Sequence, residues 1–131
     1  MKLNADADSR QVFKHGFVHV VYFWLKPGQS DTEVAEFEAE LQKMLEDSEH
    51  ASTGHVGKPA GTPREVVDNS YDYCLVVTFD DAASHEAYQQ EPPHDRFREI
   101  NKRFTERVQI YDSMGRGRLE GGSPENLRPR L

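Results

Sequence analysis

The chain has 131 residues, of which 36% are hydrophobic and 30% charged, enough for one domain with a modest core. Its 23 acidic residues outnumber 16 basic ones. The resulting net charge of -7 argues against a nucleic-acid partner, because binding to phosphates needs a basic face. One cysteine cannot form an internal disulfide, and no apolar run approaches the roughly 20 residues that cross a bilayer. The sequence therefore predicts a cytoplasmic protein with no membrane partner.

Both ends of the chain are polar and lack hydrophobic periodicity. Residues 1–14 alternate small, polar and charged types, and residues 113–131 gather glycine, proline and arginine. No internal repeat interrupts the part between them. We therefore predict an N-terminal tail over 1–14, one domain over 15–112 and a C-terminal tail over 113–131.

The first predicted element is a strand over 16–25, with the sequence GFVHVVYFWL. It is rich in β-branched and aromatic residues, and a Lys-Pro-Gly turn follows it directly. Apolar side chains occupy both its odd and its even positions. Since neighbouring side chains of a strand point to opposite faces, both faces of this strand are predicted to be covered.

An amphipathic helix follows the first strand. Ser30 and Glu33 have the spacing of a capping box, and the helix is predicted to end near Glu49. Its apolar residues recur at helical spacing and are Val34, Phe37, Leu41, Met44 and Leu45. The glycine-rich and proline-rich stretch after it predicts a short strand around 55–57, a loop, and a second short segment around 65–67 as an open alternative.

The second half of the domain repeats the pattern of strand, helix and strand. Residues 71–79 alternate as a second long strand, and residues 82–90 form a helix that stops at Pro92-Pro93. A third helix is predicted from about 94 to 105. A closing strand over 107–111 completes the domain.

This order predicts an α+β, ferredoxin-like fold, in which a four-stranded antiparallel sheet carries helices on one face. The opposite face of the two long strands is also apolar. An exposed apolar patch of that size on a small protein marks an interface. The simplest way to cover it is a homodimer whose two sheets face each other, since one patch then serves both subunits.

Several short motifs in the predicted strands and helices resemble the stress-responsive dimeric α/β barrel family. They are HVVYFWLK at 19–26, VGKPA at 56–60, SYDY at 70–73, the set Tyr88, Pro92, His94 and Phe97, and VQIYD at 108–112. The similarity spans nearly all of residues 17–112 and leaves both tails outside. It implies ferredoxin-like protomers that pair through their sheets into one barrel.

The resemblance also implies site residues. In a plant polyketide cyclase of this family, the catalytic tyrosine and histidine correspond to Tyr88 and His94 of this chain. The match departs at Tyr73, where that enzyme has a histidine, and at Glu91, where the family often has one. The resemblance therefore does not carry the identity of the substrate with it.

The residues themselves suggest a reaction type. His94 lies close to the amino end of the third predicted helix, where the helix dipole disfavours the imidazolium form, so a neutral ring is expected. A neutral imidazole can act as general base, and Tyr88 can donate a hydrogen bond to a developing enolate oxygen. This pairing suits proton removal beside a carbonyl, followed by aldol closure or isomerisation, with no cofactor.

A small cavity between helices and sheet is the expected site for this chemistry. We predict that His94 and Tyr88 are catalytic. The expected substrate-binding residues are His19, Phe23, Tyr73 and Phe97. Each has a structural alternative, because a Tyr–His pair can simply join two helices and His19 can be a hydrogen-bonded core histidine.

No metal site is predicted. The chain has six histidines, but no pair lies on a predicted helix at the i, i+4 spacing of helical zinc ligands, and no Cys–His knuckle is present. Zinc sites need three or four converging ligands, which sequence spacing alone does not provide here.

Three functions remain open at this point. The first is a cytoplasmic homodimer that binds a carbonyl-containing small molecule and acts as a cofactor-independent cyclase or isomerase. The second is a non-catalytic, stress-associated binding or stabilising homodimer, and the third is a cofactor-free monooxygenase of quinol-like aromatics. An open cavity of a few hundred Å³ at the Tyr–His pair favours an enzyme, whereas a filled core favours the binding protein.

Overall fold

The computed structural model describes residues 16–117, which contain four strands and three helices. In chain order they are β1 (Phe17–Leu25), α1 (Asp31–Asp47), β2 (Thr53–Gly57), β3 (Tyr73–Phe79), α2 (Ala82–Gln89), α3 (Pro92–Phe104) and β4 (Thr105–Met114). The tail predictions for 1–14 and for 118–131 lie outside the described residues. Within 16–117, no helix combines the length and the apolar character needed to span a bilayer.

The strands form one sheet in the order β2-β3-β1-β4, and every neighbouring pair is antiparallel. This is the ferredoxin-like arrangement that the order of elements predicts. In the central strand, His19 lies opposite Val77 of β3 and Asp112 of β4. Because partner residues in adjacent strands share a face, Asp112 lies on the same side of the sheet as His19.

The three helices cover one face of the sheet and enclose the core. Phe37 and Leu41 of α1 are fully buried, and α3 contributes Phe97 and Phe104. The buried strand residues on that face are His19, Val21, Phe23, Tyr73, Leu75, Val77 and Phe79. The predicted apolar stripes of α1 and α3 are therefore the surfaces that pack on the sheet.

The capping box predicted for α1 is present. The Oγ of Ser30 accepts from the backbone N–H of Glu33 at 3.1 Å, and Oε1 of Glu33 accepts from the backbone N–H of Ser30 at 3.1 Å. These two bonds satisfy donors that the first turn of a helix leaves unpaired. The helix ends at Asp47, two residues before the predicted end.

The other face of the sheet carries the even positions of β1, and it is partly covered within a single chain. Tyr22 packs edge-on against Tyr71 of the β2–β3 connection, with ring centroids 4.7 Å apart, and the guanidinium of Arg107 lies 4.0 Å from the centre of the Trp24 ring. Tyr111 of β4 is 61% exposed on this face. Within a single chain the inner face of β1 is covered as predicted, whereas the outer face is only half-covered.

Some predicted boundaries differ from the observed ones. Strand β4 runs over Thr105–Met114 and not only over 107–111, because it pairs with β1 along its length, from Leu25–Thr105 to Phe17–Met114. Residues 113 and 114 therefore belong to the sheet and not to a tail. The alternative short segment at 65–67 is a turn, in which the N–H of Val67 donates to the carbonyl of Arg64.

Candidate active site

Tyr88 and His94 lie on either side of the sharp corner between α2 and α3. Helix α2 ends at Gln89, and two prolines occupy the first positions of α3, where a missing N–H costs nothing. The corner brings the two rings together, with centroids 4.9 Å apart and planes at 80°. The helix break read from the sequence thus places these two side chains in contact.

A cavity of about 230 Å³ lies beside this corner, between the helices and the sheet. Five of the six predicted site residues line it: His19, Phe23, Tyr88, His94 and Phe97. Its remaining lining residues are Val21, Met44, Leu75, Gln89, Arg98, Asn101, Val108 and Ile110. The lining is mostly apolar with a few polar groups, which is typical of small-molecule sites.

Helix α3 adds two further polar residues to the cavity, Arg98 and Asn101, which were not predicted. With His94 and Phe97, they occupy positions i, i+3, i+4 and i+7 of the helix, which lie on one face. A helical projection from His94 could have found both of them.

His94 is neutral at physiological pH. Partial burial of the ring, followed by the positive charge of Arg98, lowers the pKa of His94 to about 4. Its ring therefore carries a free lone pair at pH 7. This agrees with the predicted neutral state, and burial is the first cause of the lowered pKa.

Tyr88 is almost completely buried, and its hydroxyl has only a weak partner. The O–H donates to the thioether sulfur of Met44 at 3.5 Å, and sulfur is a poor acceptor. Burial raises the pKa of Tyr88, and the nearby carboxylate of Glu91 raises it further. The phenol therefore stays protonated, and its O–H can donate a stronger hydrogen bond to an oxygen acceptor in the cavity.

Two polar atoms of residues in the cavity wall are buried without a hydrogen-bond partner inside the described range. They are Nδ1 of His94 and Oδ1 of Asn101. Buried polar atoms are nearly always paired in folded proteins, so these two residues of the cavity wall retain unused hydrogen-bonding capacity.

A third polar group at this end of the molecule is the pair of His19 and Asp112. Nδ1 of His19 lies 2.6 Å from Oδ1 of Asp112, which fixes the orientation of the buried ring. The sequence prediction did not single out Asp112. Only the register between β1 and β4 brings Asp112 opposite His19, so no local sequence pattern indicates this contact.

Tyr73 lies apart from this cavity. Its ring is buried beside Phe37, and its hydroxyl donates to Oε1 of Glu38 on α1 at 2.8 Å. Burial and this bond raise the pKa of Tyr73. Tyr73 thus occupies a core position that ties β3 to α1, and its predicted contact with a substrate stays a prediction.

A comparison of this chain with models of protein families identifies one match over residues 17–114. The model describes the stress-responsive A/B barrel domain, and it covers nearly all of the region described above. The chain therefore belongs to this family, as the motifs predicted. No curated protein sequence matches it.

Solved structures of the same fold include three informative examples. A dimeric ferredoxin-like protein of unknown function from Thermobifida fusca has a TM-score of 0.65 and 18% identity, over 77% of this chain and 92% of its own. A Dabb family protein from Mesorhizobium loti has a TM-score of 0.65 and 20% identity, over 78% and 98%. The hydroxynitrile lyase of Passiflora edulis has a TM-score of 0.68 and 14% identity, over 84% and 98%. At these identities the likeness extends to the fold alone. The narrower resemblance to a plant polyketide cyclase stays a prediction.

Proposed function

We propose that this protein binds a small carbonyl compound in the cavity beside Tyr88 and His94 and acts on it as a cofactor-independent cyclase or isomerase. The observation that carries this proposal is the open cavity, which lies next to a neutral histidine and a tyrosine hydroxyl that donates only to a thioether sulfur. A core filled with side chains at this corner would have favoured a purely structural pair.

The size of the cavity limits the substrate. Its volume of about 230 Å³ is below the roughly 300–1,000 Å³ of sites for drug-sized ligands. A compact molecule therefore fits, or one end of a longer molecule whose other end extends through the mouth. The mostly apolar lining favours a substrate with a short hydrocarbon part next to its carbonyl groups.

The proposed reaction starts with the transfer of a proton from a carbon next to a carbonyl to a ring nitrogen of His94. The electron pair of the broken C–H bond moves into an enolate, whose oxygen accepts a hydrogen bond from the Tyr88 hydroxyl. The enolate carbon then forms a bond to a second carbonyl of the same molecule, or takes a proton back at a different position. The imidazolium returns its proton to the new alkoxide or carbon.

The low pKa of His94 decides how this base can work. With a pKa of about 4, the free ring is fully available at pH 7 but is a weak base, since a general base works best with a pKa near the working pH. The developing negative charge of an enolate favours the imidazolium form and raises this pKa during the reaction. The base therefore gains strength as the enolate forms.

Proton removal alone provides a direct test. A small 3-keto ester with a methyl group and a deuterium at the carbon between its carbonyls is incubated with the protein, and loss of deuterium is followed by NMR. We expect exchange well above the buffer rate. Replacing His94 with alanine is expected to lower the catalysed rate by about a hundredfold or more, as for the loss of a general base.

The control for this experiment is His50→Ala, because His50 is exposed and outside the cavity. This variant should exchange deuterium at the wild-type rate. Exchange at the buffer rate by the wild type, or equal rates for wild type and His94→Ala, would contradict the proposal. Saturable binding of the ester without exchange would indicate the non-catalytic binding protein, and oxygen consumption with a quinol would indicate the monooxygenase.

We further propose that two copies of the chain pair through the outer faces of their sheets. The half-covered apolar face of β1, with exposed Tyr111 beside it, supports this arrangement. The Thermobifida fusca protein of the same fold is described as dimeric. Cytoplasmic location and the lack of a nucleic-acid partner stay predictions.

A further inference from the structure

Three metal-ligating side chains meet at the end of the sheet next to the cavity. His19 comes from β1, His85 from α2 and Asp112 from β4, and each offers one ligand atom. These three atoms all lie within 4.8 Å of one another. From this geometry we propose that His19, His85 and Asp112 form a binding site for a zinc ion.

The ligand types fit zinc. Two imidazoles and one carboxylate are a common set of three protein ligands, and they leave the fourth tetrahedral position for water or a ligand. His19 also lines the cavity, so an ion bound here lies at its wall. The carboxylate compensates part of the charge of the ion.

The surroundings of the three residues suit a bound ion. His19 and His85 are only 5% and 8% exposed, so two ligands are already held in place. The side chain of Asp112 is 38% exposed, which gives an ion a path from solvent. His85 is also stacked on Phe17, with ring centroids 4.1 Å apart, and the amide nitrogen of Gln89 lies 2.8 Å from its Nε2. The stacking fixes the ring plane. Turning the Gln89 amide over places its oxygen where it accepts from the ring N–H, which leaves the other ring nitrogen for the ion.

The distances require a small adjustment. With zinc bonds of about 2.0–2.2 Å, tetrahedral ligand atoms lie about 3.3–3.5 Å apart. The 2.6 Å contact between His19 and Asp112 must open, and the wider separations must close by about 1 Å. Asp112 provides most of this freedom because it lies exposed on an edge strand.

This site shares His19 with the cavity wall but adds no step to the reaction proposed above. His85 and Asp112 do not line the cavity, and neither has a part in the proton transfer. Zinc binding can therefore be present or absent whether or not the protein turns over a carbonyl compound.

Calorimetry with zinc and the metal-free full-length chain tests the proposal. We expect one zinc per chain with micromolar affinity or better, and visible absorption of tetrahedral cobalt when cobalt replaces zinc. His85→Phe keeps an aromatic ring against Phe17 but removes a ligand, and Asp112→Asn removes the charged ligand at nearly constant shape. Each is expected to weaken zinc binding at least tenfold and to abolish the cobalt bands.

The matched control is His50→Gln, which removes an exposed histidine outside the cluster. It should leave affinity, stoichiometry and the cobalt spectrum unchanged. Circular dichroism shows whether each variant is folded, and Asp112→Asn remains informative if His85→Phe is not. No saturable binding by the wild type, or wild-type affinity in both ligand variants, would overturn the proposal and leave a hydrogen-bonded His–Asp pair beside a stacked histidine.

Discussion

At the scale of single residues, burial is the first cause of the neutral state of His94. The sequence predicts a neutral ring from the dipole of α3, and the ring is neutral. The largest cause is nevertheless desolvation, followed by Arg98 one turn along the helix. Only the packed structure shows how much of the ring is removed from water.

The lowered pKa of His94 makes stability depend on pH. In the unfolded chain the ring binds a proton near pH 6.5, whereas the folded protein resists protonation until about pH 4. The unfolded state thus binds more protons in this window, so stability is full above pH 6.5 and falls towards pH 4. We expect the loss of unfolding free energy between pH 7 and pH 4 to be smaller in His94→Gln by on the order of 2 kcal/mol. This figure is reduced for solvent screening, because the ring is only partly buried.

Urea denaturation at several pH values between 4 and 7 measures this difference. Burial also lowers the pKa of His85, so part of the pH dependence with the same sign should persist in the variant. His50→Gln serves as control and should retain the full slope. Parallel curves for wild type and His94→Gln would show that His94 has an ordinary pKa.

A second prediction concerns Tyr73. Since its hydroxyl donates to the Glu38 carboxylate, Tyr73→Phe is expected to cost about 1.5–3 kcal/mol of unfolding free energy, the range for hydrogen bonds to charged groups. Because Tyr73 lies away from the cavity, deuterium exchange by the variant should equal that of wild type.

A double-mutant cycle with Glu38→Gln separates the hydrogen bond from other effects. If the bond is the cause, the second substitution should add little in the Tyr73→Phe background. A loss of exchange activity with unchanged stability would instead support the predicted contact of Tyr73 with the substrate.

At the scale of elements, Glu91 ties the α2–α3 corner to the end of α1. Its Oε1 accepts from the hydroxyl of Ser48 at 2.7 Å, and its Oε2 accepts from the backbone N–H of Glu49 at 2.8 Å. The residue is only 9% exposed. A carboxylate thus holds the corner that carries Tyr88 and His94.

Glu91→Gln is therefore expected to destabilise the protein by about 1–3 kcal/mol, because the amide keeps the shape but loses the charge and one acceptor. Urea denaturation measures the change. Glu86→Gln on the exposed side of α2 is the control and should stay within about 0.5 kcal/mol of wild type. Equal stability of both variants would mean that the Ser48 and Glu49 contacts contribute nothing.

Local patterns predict the elements well and their ends less well. The capping box of α1 and the prolines of α3 mark helix starts with local chemistry. The full length of β4 has no such signal, because its outer residues are in the sheet only by pairing with β1. The contact between Asp112 and His19 depends on the same pairing, and for this reason it was not predicted.

At the scale of the whole molecule, the sequence predicted the topology and five of the thirteen residues that line the cavity. Apolar periodicity and one helix break sufficed for the sheet and the helices, whereas the prediction of Tyr88 and His94 as site residues rested on the family resemblance. The cluster of His19, His85 and Asp112 could not be predicted in this way. Its members are distant in sequence and converge only when β1, α2 and β4 are assembled.

The last prediction concerns the outer face of the sheet. Val20 and Val76 are paired neighbours on β1 and β3, and both are half-buried in a single chain. In a sheet-to-sheet dimer a lysine at 76 would be removed from water, at a cost of several kcal/mol, whereas in a monomer it can extend to solvent. Light scattering should give twice the mass of one chain for wild type and the mass of one chain for Val76→Lys.

Ala39→Lys is the matched control, because residue 39 is exposed on α1, on the helical side of the sheet. It adds the same charge and should leave the dimer intact. A wild-type protein with the mass of one chain at micromolar concentration would contradict pairing altogether. A dimer that persists in Val76→Lys would show that the interface lies on another surface. The outer apolar face of β1 would then not be the dimer contact.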